Sequence, residues 1–173
     1  MDISLLSEQS IRVRGKLGSF IVDPSSEMQK NPADGILLQN PDSKDEFSKV
    51  ENYRIVIRGP GDYEVGGIKV GAVRGKENLL YRLNVDDVTM LLGKASELSK
   101  EDKIDACDIL VLNVDSSFDE SLIAKIDPKV VILYGMGAKE ALGKLGRTEL
   151  VPVKKFAAIK DKLPIEMEVV VLG

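Results

Sequence analysis

A change of hydrophobic period near residue 95 constrains the fold of this chain more than any other feature. Before it, short apolar runs alternate with polar residues and are broken by turn signals, which is the pattern of half-buried antiparallel strands. Ile3 and Leu5, then Ile11 and Val13 between Arg12 and Arg14, each present one wet face. Gly15-Lys16-Leu17-Gly18 reads as a turn returning through Ser19-Phe20-Ile21-Val22 to Asp23-Pro24. Residues 25–33 read as a short helix or loop, and Gly35-Ile36-Leu37-Leu38 as a buried strand. Further strands are expected at 54–57, 68–73, 78–85 and 88–92, with Gly59-Pro60-Gly61-Asp62, Val65-Gly66-Gly67-Ile68 and Asp86-Asp87 as turns. After residue 95, strands at 108–112, 130–133 and 166–172 alternate with helical segments. Those helices are expected from Ser99 as N-cap, over Ser117–Ile126, and over Ala138–Leu145 with a stop at Gly146. Strands first and alternating strands and helices later imply a layered α/β sandwich of two sheets with helices outside.

The 173 residues suit one domain, 1–173, with no linker or repeat. No apolar run is long enough to span a bilayer, so no membrane role is expected. The opening MDISLLSEQS has no basic region of the kind that leads a secretory signal. Cys107 stands alone among Ile104, Ile109 and Leu110, which fits a buried structural thiol in a reducing, cytoplasmic compartment. A net charge of −4 argues against a nucleic-acid partner. The local cluster of Lys154, Lys155, Lys160 and Lys162 is interrupted by Asp161 and reads as a solvated face.

The chemistry is constrained by an absence: the chain has no histidine. Imidazole is the commonest zinc ligand and the usual general base near neutral pH, so histidine triads, HExxH sites and tris-histidine zinc sites are all excluded. Tryptophan is absent too, which removes the best stacking platform for bases.

Several segments, in order, resemble the metallo-β-lactamase-fold hydrolases, in particular the small bacterial members of the ascorbate-phosphate-lactonase-like branch. MDISLLSEQSIRVRGKLGSFIVDP is similar to the family's opening, and NPADGILLQNPDSKDEF falls where the family carries HxHxDH after a buried strand. IRGPGDYEVGGIKVGAV resembles a GPGEYEVGG-type segment, and ENLLYRLNVDDVTMLLGK a hairpin that in the family ends in Leu-Gly-Asp. IDACDILVLNV, IDPKVVILYG and PIEMEVVVLG are similar to the later strands. The resemblance implies a four-layer αββα sandwich.

Carried over position by position, it also implies a degenerate site. Ser7 and Glu8 stand where the first loop has Gly-His. Asn40, Asp42, Lys44 and Asp45 stand where HxHxDH should lie, Lys94 at the bridging Asp and Gly135 at the last histidine. Lys44 and Lys94 would place ammonium groups where a dication sits, which opposes metal binding by several kcal/mol at short range. One of them is expected to pair with Asp42 or Asp45. The resemblance therefore implies a protein without a zinc site, cofactor or catalytic residues, a pseudoenzyme that binds a protein or small molecule or forms a homo-oligomer. The alternative is a hydrolase with a carboxylate, non-zinc or metal-free site.

Two further patterns have plainer readings. GPGDYEVGG lacks the GK[ST] of a phosphate loop, so its glycines read as backbone turns with positive φ. Asp23, Asp34, Asp42, Asp45 and Asp115 would suit an oxygen-ligand site for Mg²⁺ or Mn²⁺, but strand-end aspartates more often cap turns. Asp86-Asp87 reads as a hairpin tip and not an acid/base couple.

Overall fold

Period-two patterning produces the strands where the apolar residues alternate, and a computed structural model describes residues 1–44, 47–99, 105–115 and 118–173. Strands β1 (Asp2–Leu5), β2 (Ile11–Arg14) and β3 (Ser19–Val22) form a meander, followed by β4 (Asn31–Pro32), β5 (Gly35–Leu37), β6 (Val50–Glu51) and β7 (Ile55–Ile57). A second meander holds β8 (Gly61–Val65), β9 (Ile68–Arg74), β10 (Leu79–Val85) and β11 (Val88–Lys94). Helix α1 (Ala95–Leu98), β12 (Ile109–Asn113), α2 (Ser121–Ile126), β13 (Val130–Tyr134), α3 (Ala138–Lys144), β14 (Lys155–Ala157) and β15 (Glu168–Val171) complete the chain.

Two sheets result, in the orders β14-β1-β2-β3-β5-β7 and β15-β13-β12-β11-β10-β9-β8, with β4 and β6 as a separate short pair. The meanders pair antiparallel, whereas β3-β5-β7 and β11-β12-β13-β15 are parallel. Parallel neighbours need a crossover, and the α1 and α2 segments supply it in the second sheet.

The sheets face each other across one apolar layer. Ile3, Val13, Phe20 and Leu37 of the first sheet meet Val70, Tyr81, Met90, Val111 and Ile132 of the second. Each such side chain taken fully out of water contributes roughly 1.5–3 kcal/mol. Alternate residues of the second sheet (Leu91, Leu110, Leu112, Val131, Leu133) point the other way and pack beneath Leu98, Leu122, Ile126 and Leu142 of the three helices. Strands β12 and β13 are therefore buried on both faces, which explains their unbroken apolar runs. The outer face of the first sheet is covered by Met28, Ala33, Leu38 and Val50, from loops and the β4–β6 pair. Among the described residues no helix precedes Ala95, so residues 25–33 form turns and β4.

Several local expectations change. Helix α1 is not among the expected elements: β11 runs straight into it with Lys94 at its N-cap, and Ser99 is its C-cap; the helix expected after Ser99 falls on residues 100–104, outside the described ones. Helix α2 starts at Ser121, and Ser117 lies outside the described residues. The 154–162 lysines are not simply a solvated face. Lys155 reaches Asp2 at 3.3 Å along the β1–β14 edge, and Lys160 reaches Asp108 at 2.6 Å. Turn chemistry follows the sequence closely: Gly66 and Gly67 have φ of 58° and 71°, and Asp86 and Asp87 have φ of 51° and 67°. Cys107 is buried, and burial pushes its thiol up to about 11. No described helix is long and apolar enough to cross a membrane.

Asp108 fastens the carboxyl-terminal segment to the second sheet. Burial opposes its charge. The Lys160 ammonium and the Thr89 N–H and hydroxyl, at 2.9 and 2.8 Å, outweigh that cost and hold the carboxyl below its usual range. A depressed carboxyl contributes stability above its unfolded pKa, about 4, that is lost as pH falls through the folded value. Asp108→Asn is accordingly expected to lose roughly 1–3 kcal/mol at pH 7 in urea unfolding, with the gap to wild type closing as the pH falls below about 4. A gap that stays constant down to acid pH would show that the charge does not matter.

Candidate functional site

In parallel sheets the crevice beyond the carboxyl ends of the strands is where ligands bind, because strand ends and loops converge there. Here β3, β5, β11, β12 and β13 all end on one side, and the residues that follow them form the candidate site.

Asp23 follows β3 with φ of +44°, a conformation Asp tolerates better than most residues. Its N–H donates to the Leu37 carbonyl at 2.9 Å, and its carbonyl accepts the Ser10 hydroxyl at 2.6 Å. Its carboxylate accepts the Gln39 N–H at 2.8 Å. Burial pushes the Asp23 carboxyl up to about 6, against the opposing pull of that N–H and of the Lys94 charge. Gln39 is fully buried, and its Nε2 donates to the Tyr134 hydroxyl at 3.0 Å across the two sheets. Its Oε1 is enclosed without a hydrogen-bond partner among the described residues. From the second sheet, Tyr81 donates to the Leu38 carbonyl at 2.5 Å, with the Ile57 carbonyl at 3.0 Å. Burial raises both tyrosine hydroxyls well above their usual range, and the nearby Asp23 charge adds to it. The strand ends are thus sealed by a buried polar layer in which burial disfavours the charged forms of Asp23, Tyr81 and Tyr134.

Above this layer lies a cleft of about 410 Å³, lined by Asp23, Asn40, Ser43, Lys44, Lys94 and Asn113 among others. A larger hollow of about 580 Å³ sits beside Asp62, Glu64, Lys69 and Arg82 on β8–β10. It gathers none of these strand-end groups, so the cleft is the stronger candidate. The Lys94 side chain is 25% exposed and lies 4.0 Å from an Asp115 oxygen, beyond hydrogen-bond length. That same oxygen accepts the Ser96 hydroxyl at 3.2 Å, and the other Asp115 oxygen is buried without a partner among the described residues.

The sequence-derived positions divide three ways. Asn40, Lys44 and Lys94 meet in the cleft. Glu8 and Gly135 line a neighbouring hollow with Leu5, Met136 and Lys139. Asp42 is exposed, its N–H donating to the Asn40 side-chain oxygen at 2.9 Å, and Asp45 lies outside the described residues. Of the expected ion pair, Lys94 lies nearest Asp115, on the neighbouring strand end, because β11 and β12 are parallel neighbours, and Asp42 has no ion pair among the described residues; a pairing with Asp45 lies outside them. Gly135 has φ of +91°, which disfavours any side chain, and a Cβ there would lie 2.6 Å from the Asn113 side-chain Oδ1 and 3.2 Å from the Val114 carbonyl oxygen, so left-handed backbone and the Asn113 side chain together oppose an imidazole here. Gln39, Asn113 and Tyr134 had no local signal, since their neighbours come from distant strands.

Among the described residues no three His, Cys, Asp or Glu side chains converge as a metal site. The acids at hand among the described residues, Asp23 and Asp115, flank a lysine ammonium, and this donor set does not fit a dication.

No family model matches the chain, and no curated protein matches it. Its fold does match solved structures. One is a Thermotoga maritima protein assigned as a Zn-dependent hydrolase of the metallo-β-lactamase superfamily. It is 17% identical at a TM-score of 0.75, over 99% of this chain and 98% of that one. A second is a protein from Parabacteroides distasonis assigned as a metal-dependent hydrolase, 18% identical at a TM-score of 0.60, over 83% and 89% of the two chains. An isothiocyanate hydrolase from Delia radicum gut bacteria is 10% identical at 0.55, over 91% and 99%. With β-sheets dominant, helices few, and its ends matching at both termini of the Thermotoga protein, this chain has the metallo-β-lactamase fold.

Proposed function

We propose that this chain is a non-catalytic, metal-independent binding module of the metallo-β-lactamase fold, working through the cleft at the strand ends. The observation that carries the reading is the Lys94 ammonium, which stands in the cleft beside Asp23 and Asp115 where the resemblance implies a metal-bridging carboxylate. A fixed cation there supplies part of the positive charge a dication would, without the Lewis acidity that hydrolysis by such a site relies on. The reading takes residues 1–173 as one cytoplasmic domain of the ascorbate-phosphate-lactonase-like branch. It treats the loops and β4–β6 pair over the first sheet as a reduced form of the fourth, helical layer. The rival reading is a hydrolase with an atypical or metal-free site. It is favoured by the Asp23 carboxyl, whose raised value near 6 suits proton transfer.

Metal analysis of protein purified without chelator separates the readings. The module is expected to carry substoichiometric metal, and its Tm is expected to stay put when Zn²⁺ or Mn²⁺ is added. Stoichiometric retained metal, or a rise in Tm of roughly 5 °C or more with either ion, would overturn the reading in favour of the hydrolase.

A further inference from the structure

The ligand class follows from counting donors and acceptors around the cleft. Lys94 and Lys44 bring ammonium groups that only donate, Asn40 and Asn113 bring amides, and Ser25, Ser26 and Ser43 bring hydroxyls. Among the described residues the one carboxylate on the wall, Asp23, is turned inward to the Gln39 N–H. Asp115, the recorded partner of Lys94, is not part of the cleft wall. It lies 4.0 Å from the ammonium, without a hydrogen bond. Among the described residues no acceptor satisfies the three N–H groups of Lys94, and Lys44 has no recorded ion partner there. Lys94 is part-buried and Lys44 is exposed at the cleft; cations gathered at a concave space, one of them partly desolvated, attract the opposite charge more strongly than the same groups on an open surface.

Resting on the binding-module reading above, we propose that the cleft binds a small oxyanion, the phosphate or carboxylate group of a polar molecule, on Lys94 with help from Lys44. The volume of about 410 Å³ suits a metabolite-sized molecule. The hydroxyls and amides provide hydrogen bonds for the rest of such a molecule. Lys94 is the binding cation, and Asp115 with Ser96 positions it.

The test uses the full chain, dialysed against chelator and assayed for residual metal, titrated calorimetrically with inorganic phosphate and separately with malonate. Saturable binding of at least one anion is expected. Lys94→Gln should weaken it by about tenfold or more, the loss of one charge-assisted hydrogen bond. Lys94→Arg should largely retain it, and Lys162→Gln, an exposed lysine elsewhere, should match wild type. Phosphate alone, or malonate alone, identifies which oxyanion the site prefers. No saturable binding of either anion, or equal affinity in Lys94→Gln, overturns the proposal while leaving the metal-free reading intact; tightly held metal sinks that reading independently. Should Lys94→Gln fail to fold, Lys44→Gln decides: weaker binding supports the proposal, and unchanged affinity overturns it.

Discussion

Asp23→Asn is expected to stabilise the protein at pH 8 by up to about 3 kcal/mol and to leave it unchanged near pH 4. The reason lies in the raised carboxyl, about 6 in the fold against 3.8 as the ordinary value. Between those values the unfolded chain has already released its proton while the folded chain still holds it. The folded state then binds more protons, so stability falls as pH rises, and the full loss is reached above about 6. Two units at about 1.4 kcal/mol each set the upper limit. Asparagine cannot ionise and escapes this loss. It also fits the site: its Oδ1 can accept the Gln39 N–H, and Asn tolerates the φ of +44°. For a chain of this length the gain corresponds to a rise in Tm of roughly 5–10 °C. Urea unfolding at pH 4, 6 and 8 checks it. A variant less stable than wild type at pH 8 would mean that the fold favours the Asp23 carboxylate, through Lys94, and does not disfavour it. A residue retained at such a cost, on the wall of the cleft, is the expected signature of function traded against stability.

Gly66→Ala is expected to destabilise by about 2–5 kcal/mol. Gly66 and Gly67 form the β8–β9 turn, both with positive φ, and this turn presses against the β2–β3 turn of the other sheet. A Cβ on Gly66 would lie 2.8 Å from the Gly18 Cα, and one on Gly18 would lie 2.7 Å from the Gly66 carbonyl oxygen. Backbone atoms cannot swing aside as a long side chain can, so the two turns must separate. Gly67→Ala provides the comparison. Its φ of +71° carries the same left-handed penalty, but its Cβ would only touch the Leu17 side chain at 3.4 Å. That variant should lose about 1–2 kcal/mol. The difference between the two measures the docking of one sheet's hairpin onto the other. If chemical denaturation finds the two equal, that docking contributes nothing to stability.

Local chemistry explains what was legible beforehand. Alternation in Ile11–Arg14 and Ile68–Val73, unbroken apolar runs at 109–112 and 130–133, and the paired turn residues 66–67 and 86–87 each act over a few residues. Their structural outcome is therefore readable from neighbours in the chain. Helix limits were less readable. Helix α1 went unread because β11 passes into it without a break, and strand propensity gives no sign of that. The edge strand β14 was missed because Lys155 and Ala157 look polar or neutral until they pair with β1.

By itself the sequence determined the chemistry that is excluded: without histidine there can be no imidazole ligand or base, wherever the chain folds. It also determined most of the order of strands and helices, early strands followed by alternating strands and helices, and with it the layered two-sheet architecture. Only the tertiary structure decided which groups meet. Gln39 touches Tyr134 across 95 positions of chain, Lys94 finds Asp115 and not Asp42, and Gly135 is shut by Asn113. Burial of the Asp23 carboxyl was likewise set by strands brought from both sheets. The physical reason is that proximity, desolvation and charge act through space, whereas periodicity and turn preference act along the chain.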